Sequence, residues 1–362
     1  MKNIYLLLIL TFSLIFLGCG EKKDKVEILK EKIFHKTGQI NIQCDKIAEF
    51  EDNVCGFSNG KIFIIKDNKI SKEENYPIIE RKQVLDIIKI SDKYLIATNR
   101  GIIYKNNSLN QISSYKTNCF TIINGKIYAG TENGIVIFDN NFRELNRLDE
   151  KNSFFKEYFE NKDISERLLR VNAITDDGEN IYIGTDEGLI ITDYEFNKAI
   201  FYYADYFVPS FSNDLIRHKG NSPLAGSVIN SLKIINNNLY IGTNSGITIY
   251  NHSKKSWQSF ISKDNNNAPD RSNWKVEVNA GSSDLPGNFI RFIDVFDKYI
   301  IAGTNKGLSC FSEEKNDFIP FLYNQNVVSM FKKENILYLV TEFDGIHIFS
   351  LMEVEVENSN RK

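Results

Sequence analysis

The chain has 362 residues, a formal net charge of −3 at pH 7 and 42% hydrophobic residues. This composition supports a packed core and provides no basic field for nucleic acid, so we expect no nucleic-acid partner. Large all-β structures reach this length as one domain, and the length therefore does not require two.

The N-terminus has the features of an export signal. Lys2 supplies a positive charge, residues 4–17 are apolar and uncharged, and Phe16-Leu17-Gly18-Cys19 matches a lipobox. The apolar run is shorter than the about 20 residues that span a membrane. We therefore predict a lipoprotein signal peptide at 1–18 and a lipidated tether at 19–25. An ordinary secretory signal with a coincidental cysteine is the alternative.

After the tether, one sequence motif recurs: an apolar strand, a turn closed by glycine, and a second strand. Clear copies are AGTENGIVIF (129–138), IGTDEGLIIT (183–192), IGTNSGITIY (241–250) and AGTNKGLSCF (302–311), and weaker copies lie at 55–64, 96–105 and 340–349. The closing glycine occupies a position that needs positive φ, and the threonine hydroxyl is expected to bond the turn backbone. The glycine of each Gly-Thr pair lies within a strand and predicts close approach of another backbone.

Two more strands can be placed around each copy of this motif. Residues 171–175 precede one copy, for example, and residues 257–261 follow another. Seven units of four strands predict an all-β, seven-bladed β-propeller of four-stranded antiparallel blades over 26–353, with a charged tail at 354–362. The outer strand of the last blade could come from the tail or from residues 26–36, and we favour the front segment because it ties both chain ends together.

The repeat pattern, an apolar residue, Gly-Thr, two variable residues, Gly and a hydrophobic strand, resembles the two-component regulator propeller repeat. Residues 285–308 resemble an almost complete unit, and the likeness covers about residues 40–350. It implies a propeller of the kind found in the ligand-sensing regions of hybrid sensor kinases and in free-standing exported proteins. The family's tryptophan before Ile-Gly-Thr is Tyr128, Tyr182, Tyr240 or Ile300 here, which makes the subfamily less defined than the fold.

Catalytic and metal-binding signatures do not stand out in this chain. The four histidines lack metal-ligand spacing, and neither a His-Glu-x-x-His run nor a Gly-x-Ser-x-Gly elbow is present. We therefore expect no catalytic residue, no metal and no cofactor, although carboxylates on different blades could act as a glycosidase pair. Residues 264–270 offer oxygen ligands without the spacing of a calcium loop.

Four cysteines remain after lipidation. Cys44 and Cys55 flank a predicted hairpin around residues 51–53. In an exported protein they could form a cross-strand disulfide or remain buried thiols, and both alternatives stay open.

Three consecutive long connections are the strongest functional feature. Residues 149–169, 203–226 and 262–287 each join the fourth strand of one blade to the first strand of the next, so they should form a wall on one face. The candidate binding residues are the aromatic and cationic side chains in or beside them: Tyr202, Tyr203, Tyr206, Arg217, Trp257, Arg271 and Trp274. Such side chains on a rigid scaffold favour binding. They could instead pack their own loops.

The sequence thus favours a non-catalytic recognition or assembly protein, anchored by lipid on the periplasmic or outer-surface side of the cell envelope. Its expected partners are the membrane, through the lipid, and a glycan, a peptide or an envelope protein. The alternative is an extracytoplasmic lyase or hydrolase that acts on polysaccharide, and a structural envelope component is the third interpretation.

Overall fold

The computed structural model describes the backbone of residues 28–149, 169–204, 206–209, 215–218, 220–263 and 278–357. The predicted signal peptide, Cys19 and the tether lie outside these ranges. Within the described residues the single helical element is a short 3-10 helix at Pro77–Ile79, and no helix is long and apolar enough to cross a membrane.

The strands form seven blades in chain order, apart from β1 (Ile28–Ile40), which belongs to the last blade. Blade 1 has β2 (Lys46–Phe50), β3 (Asn53–Ser58), β4 (Lys61–Lys66) and β5 (Lys69–Asn75). Blade 2 has β6 (Val84–Ile90), β7 (Lys93–Thr98), β8 (Gly101–Lys105) and β9 (Leu109–Ser113). Blade 3 has β10 (Thr117–Ile123), β11 (Lys126–Thr131), β12 (Gly134–Phe138) and β13 (Glu144–Leu148).

The second half of the ring carries the additional strands. Blade 4 has β14 (Val171–Asp176), β15 (Ile181–Thr185), β16 (Leu189–Thr192) and β17 (Ala199–Tyr202), and a separate hairpin follows with β18 (Tyr206–Pro209) and β19 (Leu215–His218). Blade 5 has β20 (Ile229–Ile235), β21 (Asn238–Thr243), β22 (Gly246–Asn251), β23 (Ser256–Ser262) and β24 (Val278–Ser283). Blade 6 has β25 (Ile290–Phe296), β26 (Tyr299–Thr304), β27 (Gly307–Ser312) and β28 (Asp317–Tyr323). Blade 7 has β29 (Val327–Lys333), β30 (Ile336–Thr341) and β31 (Gly345–Glu357).

This arrangement confirms the predicted seven-bladed β-propeller. Blades 1, 2, 3, 4 and 6 are antiparallel meanders of four consecutive strands, and in blade 5 a fifth strand, β24, pairs parallel to β23. The second strand of each blade is buried on both sides, as in β26, where all six residues are buried. Because neighbouring blades cover both of its faces, such a strand is a continuous apolar run in the sequence rather than an alternating one.

The chain ends close the ring in the way that we favoured. In blade 7 the sheet order is β1-β31-β30-β29, so the N-terminal segment provides the outer strand. The ring of Phe34 stacks on Phe321 with 4.8 Å between centroids, and it also contacts Phe296 at 5.8 Å. β31 continues to Glu357, whose register partner is Ile28.

The repeated turn has the predicted geometry. Gly134 and Gly246 have φ of 90° and 137°. The hydroxyl of Thr131 donates to the carbonyl oxygen of Gly134 at 2.9 Å and accepts from the N–H of Asn133 at 3.1 Å. Blades 2 to 7 all share the bond from the threonine hydroxyl to the glycine carbonyl. Blade 1 has buried Phe57 at the threonine position.

At Gly130, Gly184 and Gly242 the glycine within the strand meets the neighbouring blade, as expected, mainly through a side chain. A Cβ added to Gly184 would lie 2.5 Å from Cγ2 of Ile229, and one added to Gly242 would lie 2.7 Å from Cγ2 of Ile290. At Gly184 and Gly242 a β-branched side chain at the start of the next inner strand thus takes the place of the expected backbone, whereas a Cβ added to Gly130 would also lie 3.1 Å from the backbone oxygen of Val171 in blade 4, as predicted. At Gly303 the near neighbour is Phe292 of the same blade.

Each interface between adjacent blades contains its own apolar cluster. Burial of these side chains is the main stabilising contribution to the ring. Cys44 and Cys55 belong to this core as free thiols, and burial raises the pKa of each to about 12. The described residues thus have the buried-thiol alternative and no Cys44–Cys55 disulfide.

Candidate functional site

The two faces of the ring differ in their connections. Because each blade is an up-and-down meander, the connections from outer to inner strands lie on the same face as the threonine–glycine turns. The three long connections run between β13 and β14, β17 and β20, and β23 and β25, as the sequence predicted. We call this side the insertion face and the other side the opposite face.

The sequence-predicted binding residues are only partly brought together. Tyr202 and Trp257 contact each other at 5.2 Å between ring centroids, and Trp257 also contacts Tyr250 at 4.5 Å. All three are partly buried against the core between blades 4 and 5. Tyr203 is partly buried, and its N–H donates to Asn221 Oδ1 at 2.8 Å.

The other four candidates are described less fully. Tyr206 and Arg217 lie in β18 and β19, where Tyr206 pairs with His218 and Arg217 pairs with Phe207. Their placement on one hairpin follows from the backbone alone. Arg271 and Trp274 lie outside the described residues.

The base of the second insertion is fixed to the ring. Asn221 Nδ2 donates to the carbonyl of Phe201 at 2.7 Å, and Ser222 Oγ donates to the carbonyl of Tyr203 at 2.9 Å. Leu224 is fully buried between blades 4 and 5. These contacts hold the start and the end of the connection, so the β18–β19 hairpin projects from an ordered base.

A groove of about 940 Å³ opens beside the third insertion, between blades 6 and 7. Its wall includes Phe343, which is 84% exposed, and Tyr323, which is 57% exposed. Lys263 and Asp284 form an ion pair of 2.5 Å at its edge. Sequence analysis missed this groove, although one signal was present: the last repeat has an additional residue in its turn, and Phe343 is in that turn.

The inner strands surround a central channel with a cavity of about 350 Å³. In blades 2 to 7 the inner strand has a register shift at the same position, next to the insertion face. The residues at these bulges are Leu85, Asn118, Asn172, Asn230, Arg291 and Val328, and all of them line the cavity. A β-bulge re-aims the side chain of its additional residue, which explains this common orientation.

Three consecutive bulge residues are asparagines that join neighbouring blades. Asn118 donates to the carbonyl of Val171 at 3.0 Å, Asn172 to that of Ile229 at 3.1 Å, and Asn230 to that of Ile290 at 2.9 Å. We call these bonds the asparagine ladder. In the sequence, the ladder is visible as an asparagine at the second position of three inner strands. The strand pattern alone does not show which carbonyl group each asparagine bonds.

Among the described residues that line the cavity, the charged side chains other than Arg291 are paired across blades. Lys46 and Asp86 lie 3.2 Å apart, and Lys233 and Asp294 lie 2.8 Å apart. Arg291 at the bulge of blade 6 instead stacks over the Phe289 ring, with 4.6 Å from Cζ to the centroid. Ion pairs of this kind hold adjacent blades together, whereas Arg291 is exposed to the channel mouth.

A polar cluster on the opposite face joins blades 4 and 5. The hydroxyl of Tyr182 donates to Asp177 Oδ2 at 2.5 Å and lies 3.5 Å from Nδ1 of His252. Burial raises the pKa of Asp177, but the hydrogen bonds from Tyr182 and from the N–H groups of Asn180 and Glu179 outweigh it and leave the pKa below its usual value. The bonds cap the turn between β14 and β15, which is a structural role.

Among the residues that the structure describes, no group of three or more His, Cys, Asp or Glu side chains could hold a metal ion. The loose calcium-loop candidate at 264–270 lies outside those residues. The described residues form three surface features, which are a polar channel, an aromatic groove and the insertion face.

No protein-family model matches the chain, and no curated protein matches it by sequence. The structure is similar, with a TM-score of 0.61 and 19% identity, to the extracellular domain of a protein from B. thetaiotaomicron described as a hybrid two component system. The match covers 88% of this chain and 41% of that chain, so this chain spans less than half of that protein's length. The resemblance of the repeats to the two-component regulator propeller repeat agrees with this likeness.

Two solved chains that match over their whole length have the same fold. Virginiamycin B lyase from Staphylococcus aureus matches with a TM-score of 0.56 and 12% identity, over 90% of this chain and 100% of that chain. BamB from Moraxella catarrhalis matches with a TM-score of 0.52 and 12% identity, over 88% and 100%. Since one propeller architecture serves such different proteins, the likeness establishes the fold, and function must come from the site.

Proposed function

We propose that this protein is a lipid-anchored extracytoplasmic β-propeller that binds a glycan, a peptide or an envelope protein on its insertion face and catalyses no reaction. The observation that carries the proposal is the placement of all three long connections on one face, opposite to the end of the ring where the N-terminal strand begins. Loops on a rigid scaffold are where binding residues concentrate.

The strand directions support a particular orientation of a lipid-anchored propeller. β31 runs from its turn on the insertion face toward the opposite face, and β1 is antiparallel to it. Ile28 therefore lies on the side of the opposite face, a short tether away from Cys19 in the sequence. A lipid on Cys19 turns the opposite face toward the membrane and leaves the insertion face free for a partner.

The chemistry of the insertion face suits a binding surface. Phe343 and Tyr323 present exposed aromatic area beside the Lys263–Asp284 pair. Aromatic side chains dominate interface energies because they bury a large area at small entropic cost. The likeness to an extracellular domain supports the extracytoplasmic location.

The test compares binding and stability in the same variants. Tyr206→Ala and Trp274→Ala should each weaken binding to a glycan array or to purified envelope components by about 2 kcal/mol, with an unchanged melting temperature, if they are exposed anchors. Trp257→Ala is the matched control: it packs against Tyr202 and Tyr250, so it should lower the melting temperature.

Two results would contradict the proposal. Loss of stability with unchanged affinity in Tyr206→Ala and Trp274→Ala would mean that these residues pack their own loops. Turnover of a polysaccharide panel, abolished by mutation of a single carboxylate, would instead support the extracytoplasmic enzyme.

A further inference from the structure

Of the six bulge residues that line the cavity, Arg291 is the one that carries a charge. Blades 3, 4 and 5 use their bulge residue to bond the next blade through the asparagine ladder. Arg291 occupies the same position in blade 6, next to Ile290, and forms no ion pair or hydrogen bond with a described residue. Its role is therefore not the attachment of blade 7.

The surroundings hold the guanidinium ready for a ligand. Its Cζ lies over the Phe289 ring, 4.6 Å from the centroid, and the Arg291 side chain is exposed, so its N–H donors are available to a ligand. The planar fork of guanidinium donors matches an oxyanion such as carboxylate or phosphate.

The charge balance of the cavity favours the same ligand. Three cations, Lys46, Lys233 and Arg291, line it together with two carboxylates, Asp86 and Asp294. Each carboxylate already has a lysine partner, at 3.2 Å for Asp86 and 2.8 Å for Asp294. One positive charge thus remains uncompensated among the charged residues that line the cavity, and it attracts an entering anion.

Size limits the ligand. The cavity of about 350 Å³ is at the lower end of the range for small-molecule pockets and admits a small molecule or a single projecting group. The asparagines of the ladder line the same cavity, and Oδ1 of Asn118 is buried without a hydrogen-bond partner.

We propose that Arg291 forms an anion site at the insertion-face mouth of the central channel, which binds the oxyanion group of a small ligand. The site is distinct from the aromatic residues of the insertions. It extends the proposed function without depending on it, because the two sites share no residue.

The test is calorimetric titration of the full chain with sodium propionate and, separately, inorganic phosphate, at about 20 mM salt. Propionamide is the neutral isostere of propionate. One or both oxyanions should bind, and propionamide should not. The oxyanion that binds with the higher affinity identifies the chemical class of the ligand, carboxylate or phosphate. Binding should weaken several-fold when the salt is raised to about 500 mM, because ions screen the attraction.

Variants distinguish a specific anion site at Arg291 from a general effect of the protein's positive charges. Arg291→Gln should lower the anion affinity at least about tenfold. The affinity of Arg291→Lys should lie between those of the wild type and Arg291→Gln, because lysine keeps the positive charge but lacks the planar pair of guanidinium donors. The melting temperature without ligand should not change, since Arg291 bonds no other blade. Arg147→Gln removes a guanidinium that pairs with Glu144 on the outer strand β13, and it should leave the affinity unchanged.

The proposal is overturned if neither oxyanion binds, if propionamide binds as well as propionate, or if Arg291→Gln and Arg147→Gln have the same effect. Binding at Arg291 with unchanged partner recognition in Tyr206→Ala and Trp274→Ala would support the channel site and contradict the insertion-face function, so the two proposals can fail separately.

Discussion

The side-chain amide of Asn172 in blade 4 donates a hydrogen bond to the backbone carbonyl of Ile229 in blade 5 at 3.1 Å, and it also donates to Asp186 Oδ1 at 2.7 Å. One side chain thus joins the inner strand of its blade, the threonine–glycine turn and the next blade. This relationship shows how the ring is stabilised next to its channel, where the inner strands have no further strand to pair with.

Asn172→Ala should lower the free energy of unfolding by about 1 to 3 kcal/mol, because the carbonyl of Ile229 loses its partner in a partly buried place. Urea unfolding at neutral pH measures the effect. Asn110→Ala is the control, since Asn110 is exposed and its amide bonds only to neighbouring Ser108. Equal costs at the two positions would contradict a role of the ladder in holding the blades.

Gly184→Ala and Ile229→Ala should show coupling. The new methyl group would lie 2.5 Å from Cγ2 of Ile229, so Gly184→Ala alone should cost about 1 to 3 kcal/mol. Ile229→Ala alone should cost about 2 to 5 kcal/mol, and it removes the atom that clashes. The double variant should therefore be less destabilised than the sum, by about 1 kcal/mol or more.

Additivity is the expected outcome for the control pair, Gly184→Ala with Ile62→Ala. Ile62 is buried in blade 1, in the cluster between blades 1 and 2. If Gly184→Ala were equally non-additive with both isoleucines, its cost would not come from the contact with Ile229.

Phe34→Ala tests closure of the ring by the N-terminal strand. Phe34 stacks on Phe321 at 4.8 Å, and its loss should lower the free energy of unfolding by about 2 to 3 kcal/mol, somewhat less than for a fully buried ring. Phe343→Ala is the control because that ring is 84% exposed, and it should leave the melting temperature nearly unchanged. A melting temperature unaffected by Phe34→Ala would place ring closure elsewhere.

His347 predicts a loss of stability in mild acid. Burial, together with the positive charge of Lys36 and against the opposing charge of Asp344, lowers the pKa of His347 to about 4. At pH values between about 6.5, the pKa of this histidine in the unfolded chain, and about 4, its pKa in the folded protein, the unfolded chain binds up to one proton more than the folded protein. Stability is thus fully present above about pH 6.5 and is lost as the pH falls toward 4, by on the order of 3 kcal/mol.

The measurement for His347 is the free energy of unfolding from pH 7 to pH 4. His347→Leu should reduce the acid-induced fall, whereas His35→Leu, a change at an exposed histidine of β1, should not. The same pH dependence in both variants would assign the fall to carboxylates instead.

Cys19→Ala tests the anchor. The variant should lose incorporation of labelled fatty acid and should leave the membrane fraction, since no other lipid attachment site is predicted from the lipobox. Wild-type protein provides the control for membrane retention. Acylation that persists in Cys19→Ala would contradict the lipoprotein assignment.

The sequence determined the repeat and therefore the fold. Gly134, Gly188 and Gly246 mark turns that need positive φ, and the apolar runs before them are strands buried on both sides. These signals are local, because hairpin geometry and strand burial act on residues that are close together in the chain. The seven repeat units and the long connections between blades could therefore be predicted from the sequence.

Tertiary structure alone decided which residues meet across blades. Arg291, Asn118 and Asn172 share a position only because each inner strand has a bulge there, and a bulge is a property of register with the next strand. Tyr202 and Trp257, in contrast, were predicted as binding residues and contact each other between blades 4 and 5. Such contacts depend on how the ring brings distant segments together, and the spacing of residues along the chain does not encode that distance.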